Sequence, residues 1–552
     1  MILTAKPLKP FSYTAKGIPT RQMIIQDYDE TFRLYASIRD STQPDIAPPT
    51  SWDTASRTRF VQAVIEKNLP QMVEDDADLF RHGWNSLQAT WIRNSLLRGL
   101  RESINLDIRQ NTKNFVYDYP TIVQLGKLLS SVARSGFPEV AKAADQKAVQ
   151  AMHAMAEKYS SDFPKGQRRK TQGGGKVVMV TGTTGGFGSY LLARLVADEA
   201  VSIVYAVNRK NKKSSLEERQ IQAFREKGID ERLLKSVKVK MVEADLLKKD
   251  FGMGSDEFEK MRHSVTHIIH NAWRVHFNAP LSEFEPNVQG LRALIDFSLT
   301  HGSRLIFIAS VGVFQRIGHA SILLERPVPA DVAIGLGYAQ SKWVAEEVLL
   351  NAIRAAGLNS LVVRVGQLCG SSTTGAWNIN EWAPAMIQSA NVLGCLPIVD
   401  GTISWIPSDL ASQAILDLLD IEDTRAEPIL HLRHPYPVEW NTLMNSLASQ
   451  LKVTSVSYTE WLRRLEESSA KQLVATRLLP FFQNIPIRHD VNPVGLEAFA
   501  VPDMDITIAR KMCKSFAGSG YPTLNAELAR KWLRYWQTRG ELVGTQRYVA
   551  KM

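Results

Sequence analysis

Cysteine is scarce in this chain: three occur in 552 residues, Cys369, Cys395 and Cys513, far apart and without a C-x-x-C pair. That pattern argues against a disulfide framework or a cysteine-rich zinc site and fits a reducing compartment. Long hydrophobic runs are missing too. No uninterrupted apolar stretch approaches the roughly 18 residues that a membrane helix needs. Met1 to Thr20 mixes Lys6, Lys9 and Lys16 with Pro7 and Pro10 and has no apolar centre, so a secretory signal is not expected. The charge imbalance is modest: Lys+Arg 66 against Asp+Glu 56 leaves +10. No long basic run carries interleaved aromatics, which argues against nucleic-acid binding. What remains is ordinary, with 44% hydrophobic, 22% charged and 8% aromatic residues, as expected of a globular chain long enough for three or four domains. The expectation is a soluble cytoplasmic protein with neither nucleic-acid nor membrane partners.

Four zones differ in texture. Residues 1–50 are irregular and end in the Pro-rich stretch Thr42 to Pro49. From 51 to about 134 the pattern is helical, with one apolar stripe at Phe60, Val61, Val64 and Ile65 and another at Leu87, Trp91, Leu96 and Leu100. Residues 135–172 begin Ala-rich and helical, turn polar and lead into Gly173–Gly175, which predicts a linker. From 173 onward short strand-like runs alternate with helical stretches. Val177–Val180, Val201–Val207, Val237–Val242, Val265–Ile269, Leu305–Ile308 and Leu361–Val365 read as strands, and Ser189–Leu195 and Leu291–Leu299 as helices. Such alternation predicts a parallel sheet covered on both faces. Beyond Gly366 it weakens, and Trp-bearing helical segments suggest a mainly helical C-terminal subdomain from about 371.

The first of these strands runs into T-G-T-T-G-G-F-G, with Gly182, Gly185 and Gly188 spaced G-x-x-G-x-x-G and a helix following at once. Glycines admit a pyrophosphate close to the backbone, and the helix N-terminus turns its free N–H groups toward the anion. The second strand ends at Val207, and Asn208, Arg209 and Lys210 follow where an NAD site usually carries a carboxylate for the ribose. A guanidinium there suits a 2′-phosphate, so NADPH is the expected cofactor; the other reading of Arg209 is a solvated basic loop. Asp245, after the third strand, either accepts from an adenine amino group or caps the next helix. The expected cofactor contacts are Gly182, Thr184, Gly185, Phe187, Gly188, Arg209, Lys210, Asp245, Leu246, Asn271, Tyr338 and Lys342.

In G-Y-A-Q-S-K, Tyr338 and Lys342 lie four apart on one helical face, and Ser310 ends a strand 28 residues before Tyr338. Hydride addition to a carbonyl needs a proton donor at the oxygen. A tyrosine with its pKa near 10 holds its proton tightly, and a neighbouring ammonium lowers that value. Ser310 would hydrogen-bond the same oxygen. His263, His267 and His270 invite a metal reading, but strand offsets of three point to opposite faces, so a structural role is expected.

These motifs resemble the extended short-chain dehydrogenase/reductase family, and within it the thioester reductase domains of carboxylic acid reductases, aminoadipate reductases and some nonribosomal peptide synthetases. Further matching stretches are His270–Asn278, Asn287–Gly290, Tyr338–Glu346, Val362–Gly370 and Trp405–Asp409, while His431–Trp440 looks like the fungal branch associated with secondary metabolism. Upstream, D-L-F-R-H-G-W-N-S-L (Asp78–Leu87) resembles the phosphopantetheine attachment motif of carrier proteins, with Ser86 as the modified residue and Asn85 where the family usually has Asp. Phe115–Leu125 resembles the start of a carrier's last helix. Lys9–Arg21 looks like the end of an adenylation domain, with Lys16 matching its catalytic lysine.

The resemblance implies a multidomain chain. Residues 1–50 would be the tail of an adenylation domain, 51–134 a four-helix all-α carrier and 135–172 a linker. Residues 173–552 would form an α/β Rossmann-fold reductase ending in a substrate subdomain. Its implied activity is NADPH-dependent release of an acyl thioester, held by 4′-phosphopantetheine on Ser86, as an aldehyde and in some cases onward to an alcohol. Ser310, Tyr338 and Lys342 would be catalytic. Implied partners are a phosphopantetheinyl transferase and an adenylation domain acting in trans. Two rivals are a cyclising, non-redox release domain and an inactive fragment that only binds partners.

Overall fold

The computed structural model describes residues 46–542 apart from 68–73, 78, 80–85, 105–114, 117–118, 168–174, 277–278, 318–321, 469–472, 484, 486–496, 501 and 519–520. Lys9–Arg21 and most of Asp78–Asn85 therefore lie outside the described residues. Helices of ten or more residues and the strands of the main sheet are numbered here in chain order.

Contacts divide the chain into two units, residues 1–146 and 147–552. In the first, α1 (Thr54–Glu66) starts where the Asp53 carboxylate accepts the N–H groups of Ala55 and Ser56, both at 2.9 Å. Such a cap satisfies donors that the first turn leaves open. Its buried stripe is the one the sequence marks: Phe60, Val61, Val64 and Ile65. α2 (Ser86–Ile104) begins at Ser86 and buries Ile92, Leu96 and Leu100, while Trp91 of the expected stripe is 42% exposed. With Leu125, Leu129 and Val132 of α3 (Ile122–Lys158) they complete one apolar core. Three helices thus stand among the described residues where four are expected.

α3 breaks its helical geometry at Gly136 (φ 77°), two residues before Pro138. From Lys147 the chain belongs to the second unit, where Met152 and Ala156 are buried in its core. Arg292 donates to the carbonyls of Tyr159 (3.0 Å), Ser161 (2.6 Å) and Asp162 (2.9 Å). The stretch expected as linker, 135–172, therefore supplies a packed part of the second unit over 147–163. Alternating Ala, Met and His on a helix read as linker because the face they cover is built from residues over a hundred positions downstream.

The second unit is built on a seven-stranded sheet: β1 (Lys176–Thr181), β2 (Val201–Asn208), β3 (Val239–Glu243), β4 (His267–His270), β5 (Arg304–Ser310), β6 (Ser360–Val365) and β7 (Ile429–Leu432), in the order β7-β6-β5-β4-β1-β2-β3. Every pairing is parallel. Strand order reverses at β1, between β2 and β4, and in such sheets ligands bind beyond the strands' carboxyl ends at that reversal. α4 (Gly186–Ala197), α5 (Leu216–Lys227), α6 (Ser255–Ser264), α7 (Glu285–His301) and α8 (Gly337–Ala356) are the crossover helices. Two cores flank the sheet: Met179, Ile268, Leu305 and Phe307 face one, and Val178, Val180, Ile269 and Ile306 the other. That alternation follows from the two-residue period of a strand. β7 had no counterpart among the expected strands.

Beyond β6 the chain forms α9 (Trp382–Leu393), α10 (Ser408–Asp417), α11 (Trp440–Leu451), α12 (Tyr458–Glu467) and α13 (Ala526–Thr538), with short two-stranded pairings between them. α10 returns to pack against α4. The tryptophans make a core of their own: Trp377, Trp405, Trp440, Trp461, Trp532 and Trp536 are buried. Three of their indole N–H groups donate within this core, Trp440 to the Pro397 carbonyl (3.0 Å), Trp461 to Ser389 (3.1 Å) and Trp536 to the Trp377 carbonyl (2.8 Å). Among the described residues no helix is long and apolar enough to cross a membrane.

Candidate active site

Parallel pairing brings the carboxyl ends of β1, β2, β3 and β4 to one edge, and with them Gly182, Arg209, Asp245 and Asn271. Gly182 has φ +76°, and a Cβ there would stand 3.0 Å from Ala272 Cα. At Gly188 a Cβ would stand 2.1 Å from the Gly182 carbonyl oxygen and 2.9 Å from Asn271 Nδ2. The loop thus needs one glycine for its backbone conformation and the other for the approach of helix to strand. Gly185 precedes α4 as its cap and offers no side-chain acceptor, which leaves the helix's first-turn N–H groups for an anion. A Gly188→Ala variant is expected to melt with about 1–3 kcal/mol less stability and to bind dinucleotide more weakly, as thermal denaturation and cofactor titration would report.

Asn208, at the usual carboxylate position, is buried and turned inward. Its Nδ2 donates to Thr183 Oγ1 (2.7 Å) and its Oδ1 accepts from Thr184 N and Oγ1, both at 3.3 Å. Gln220 of α5 completes the lock, accepting from Thr183 Oγ1 (2.7 Å) and donating to the Thr183 carbonyl (3.1 Å). Asn208 therefore shapes the glycine loop. Thr184 is consequently held by Asn208, and Phe187 is buried in the core on the α4 side. Arg209 and Lys210 are exposed, and Arg219 of α5 donates to the Arg209 carbonyl (3.0 Å) while paired with Glu243 (3.2 Å). Sequence spacing offered no signal for Arg219, because only α5 packing brings it to this edge. Asp245 accepts from Leu247 N (3.2 Å) in a local turn. The capping alternative for Asp245 does not hold, since α6 is capped by Gly254. Leu246 lies against Gly290 of α7. Asn271 Nδ2 donates to the Gly182 carbonyl (3.3 Å).

Next along the edge, Ser310 ends β5, and Tyr338 and Lys342 lie in the first two turns of α8. Ser310 Oγ accepts from Gly312 N (3.0 Å) and hydrogen-bonds the Tyr338 phenol. Burial pushes the phenol above its ordinary value, and the Ser310 hydrogen bond opposes that. Lys342 is buried and donates to the Ile308 carbonyl (2.7 Å), with its Nζ 5.9 Å from the Tyr338 ring centroid. Burial pushes it down to about 7, against the Glu346 carboxylate. Burial and the Ser310 hydrogen bond set the phenol here, while Lys342 Nζ is engaged by the Ile308 carbonyl of β5. Glu346, a further turn along, holds Arg364 of β6 through Nε–Oε1 (3.1 Å) and Nη2–Oε2 (2.7 Å) contacts, both side chains buried. The sequence reading missed this pair. His270 Nδ1 meets Thr181 Oγ1 at 2.9 Å, and burial holds the imidazole down to about 3. Among the described residues no group of His, Cys, Asp or Glu could hold a metal ion.

A parallel sheet that reverses at a glycine loop, with Ser, Tyr and Lys gathered beside it, defines a dinucleotide-binding oxidoreductase of the short-chain dehydrogenase/reductase kind. Residues 180–415 match the NAD-binding family described as male sterility protein. Over 98% of its length the chain is 38% identical to adenylate-forming reductase Nps10 of Heterobasidion annosum, covering 51% of that protein. The chain is similar to adenylate-forming reductases and spans about half the length of the curated relatives it matches. Among solved structures, the terminal R domain from the myxalamid PKS-NRPS pathway is 25% identical with a TM-score of 0.60, covering 72% of this chain and 100% of that one. A thiolation-reductase di-domain from an archaeal nonribosomal peptide synthetase shares the fold, at 17% identity and a TM-score of 0.61, over 90% of this chain and 99% of that one.

Proposed function

We propose that this chain reduces an acyl thioester, presented on 4′-phosphopantetheine at Ser86, to an aldehyde at the expense of NADPH. The observation that carries the reading is the convergence of Ser310, Tyr338 and Lys342 beside the glycine loop at one sheet edge. A dinucleotide suits the loop: glycine at 188 lets the helix close on the Gly182 carbonyl, and the uncapped start of α4 suits a pyrophosphate. Gly182, Gly185 and Gly188 would hold the pyrophosphate, Asn271 would steady their loop, and Arg209 with Lys210 would face the 2′-phosphate. The bound dinucleotide supplies the hydride. Tyr338 would donate a proton to the carbonyl oxygen and Ser310 would orient that oxygen. Lys342 would keep positive charge beneath them. Collapse of the resulting hemithioacetal frees the carrier thiol and the aldehyde. Ser86 opens α2, the position from which a pantetheine arm would extend; a phosphopantetheinyl transferase would load it, and an adenylation domain would supply the acyl group.

The test is turnover of a panel of aromatic and aliphatic acyl-pantetheine thioesters with NADPH or NADH, scoring cofactor loss and aldehyde together. Aldehyde formed with NADPH and much less with NADH is the expected result; folded protein that consumes no hydride on any thioester overturns the reading. Arg209→Ser is expected to weaken NADPH use roughly tenfold while leaving NADH use unchanged, the size of one lost hydrogen bond to a charged group.

A further inference from the structure

Lys342 is only 2% exposed, yet among the described residues its ammonium has one hydrogen-bond acceptor, the Ile308 carbonyl. Glu346, the carboxylate next along its helix, is committed to Arg364. What surrounds Nζ instead is aromatic. The ring centroids of Trp273 and Phe307 stand 4.4 and 4.5 Å from it, and the two rings meet edge to face at 5.4 Å. Trp273 is tied to the catalytic helix: its Nε1 donates to Ser341 Oγ (3.1 Å), which donates to the Tyr338 carbonyl (2.7 Å).

His270 backs both rings, stacked on Phe307 at 5.8 Å and edge-on to Trp273 at 6.0 Å. Its protonation follows from Thr181. The Thr181 oxygen accepts the N–H groups of Asn271 (3.1 Å) and Ala272 (3.0 Å), so its own proton goes to His270 Nδ1 and the imidazole carries hydrogen on Nε2. A neutral ring behind the cage adds no repulsion to the ammonium. The charged or titratable groups facing Lys342 are then Tyr338 and Glu346 on α8 and His270 on β4, with Arg364 of β6 acting through Glu346.

We propose that Trp273 is a positioning residue for the reduction: with Phe307 it forms an aromatic cage that keeps Lys342 cationic and aimed along the Tyr338 face of α8. The proposal rests on the reading of Tyr338 and Lys342 as the proton-donating pair. A cation gains from the negative face of a ring and a neutral amine does not. The cage therefore opposes the downward push of burial, and removing one wall lets Lys342 lose its proton at lower pH.

The test uses the full chain labelled with 13C at lysine Cε, the Lys342 resonance being the one absent from Lys342→Met. Trp273→Met fills the space without a π face and is expected to lower the Lys342 titration midpoint by about one pH unit; Trp273→Phe keeps a face and is expected to stay near the parent. Should Trp273→Met not fold, Phe307→Leu removes the other wall and carries the same expectation. The alkaline limb of kcat on an acyl-pantetheine thioester should move down by the same amount, with KM unchanged. An unchanged or higher midpoint in the π-less variant overturns the cage, whether or not the chain turns over. A cage-dependent midpoint in a chain that reduces no thioester upholds the cage's hold on the ammonium and overturns the reductase reading instead.

Discussion

Tyr338→Phe is expected to cut thioester reduction by roughly 10²–10⁴-fold, the usual contribution of a positioned general acid. Dinucleotide affinity should be nearly unchanged. The change removes one oxygen and its Ser310 hydrogen bond from a ring that stays packed edge-to-face on Phe284 at 6.3 Å, so the fold is expected to hold. The loss should fall on kcat with KM for the thioester kept, because the phenol's proton matters where negative charge develops on the carbonyl oxygen. Burial holds the phenol above its ordinary value in the unliganded chain. As a proton donor it is therefore fully charged with its proton across the working pH range, and the variant should lose activity at every pH. Unchanged aldehyde output would remove Tyr338 from the chemistry.

The second large effect concerns stability. Glu346→Gln leaves the Arg364 guanidinium buried without its anion, and such a break costs about 3–5 kcal/mol. Arg364 is enclosed further by the Arg326 carbonyl (2.9 Å) and by the Phe314 ring, 4.9 Å from its guanidinium carbon. It has nowhere wetter to turn. Replacing both partners by apolar side chains, Glu346→Leu with Arg364→Met, should recover most of that loss, since desolvating two charges offsets much of what their attraction contributes. Denaturant titration of the parent and the two variants separates the outcomes. A single variant as stable as the parent would mean that the pair does not hold α8 to β6.

Much of the reductase was legible from residues alone. Six of the seven strands stand where the sequence placed them: five as apolar runs, as strands covered on both faces require, and β3 from the apolar/basic alternation of a less buried strand, which its half-exposed residues bear out. β7, Ile429–Leu432, lies far downstream of the strand–helix alternation, and its His431 imidazole is satisfied by the Asp505 carbonyl at 2.9 Å. Local patterns also marked α1, down to its four buried residues, and the helical character of 135–158. They could not show that residues 147–163 pack on α7 and α8, since the apolar surface receiving them has no mark in their own sequence. At the site, glycine spacing and the Ser, Tyr and Lys positions were readable because a turn, a helix face and a strand end are local geometries. Trp273, Arg219 and the Glu346–Arg364 pair were not, because each acts through a side chain distant in sequence.

By itself, then, the sequence determined which segments would be strands and helices, which turn would carry the spaced glycines and which three residues, Ser310, Tyr338 and Lys342, would gather beside it. These follow from periodicity and from backbone freedoms that neighbouring residues settle among themselves. Only the tertiary structure decided the charges. Asn208 is an internal lock because Thr183 and Gln220 close on it, and Lys342 faces aromatic rings because β4 and β5 deliver them there. Desolvation and long-range contact set those states, and neither is a property of any short stretch of chain.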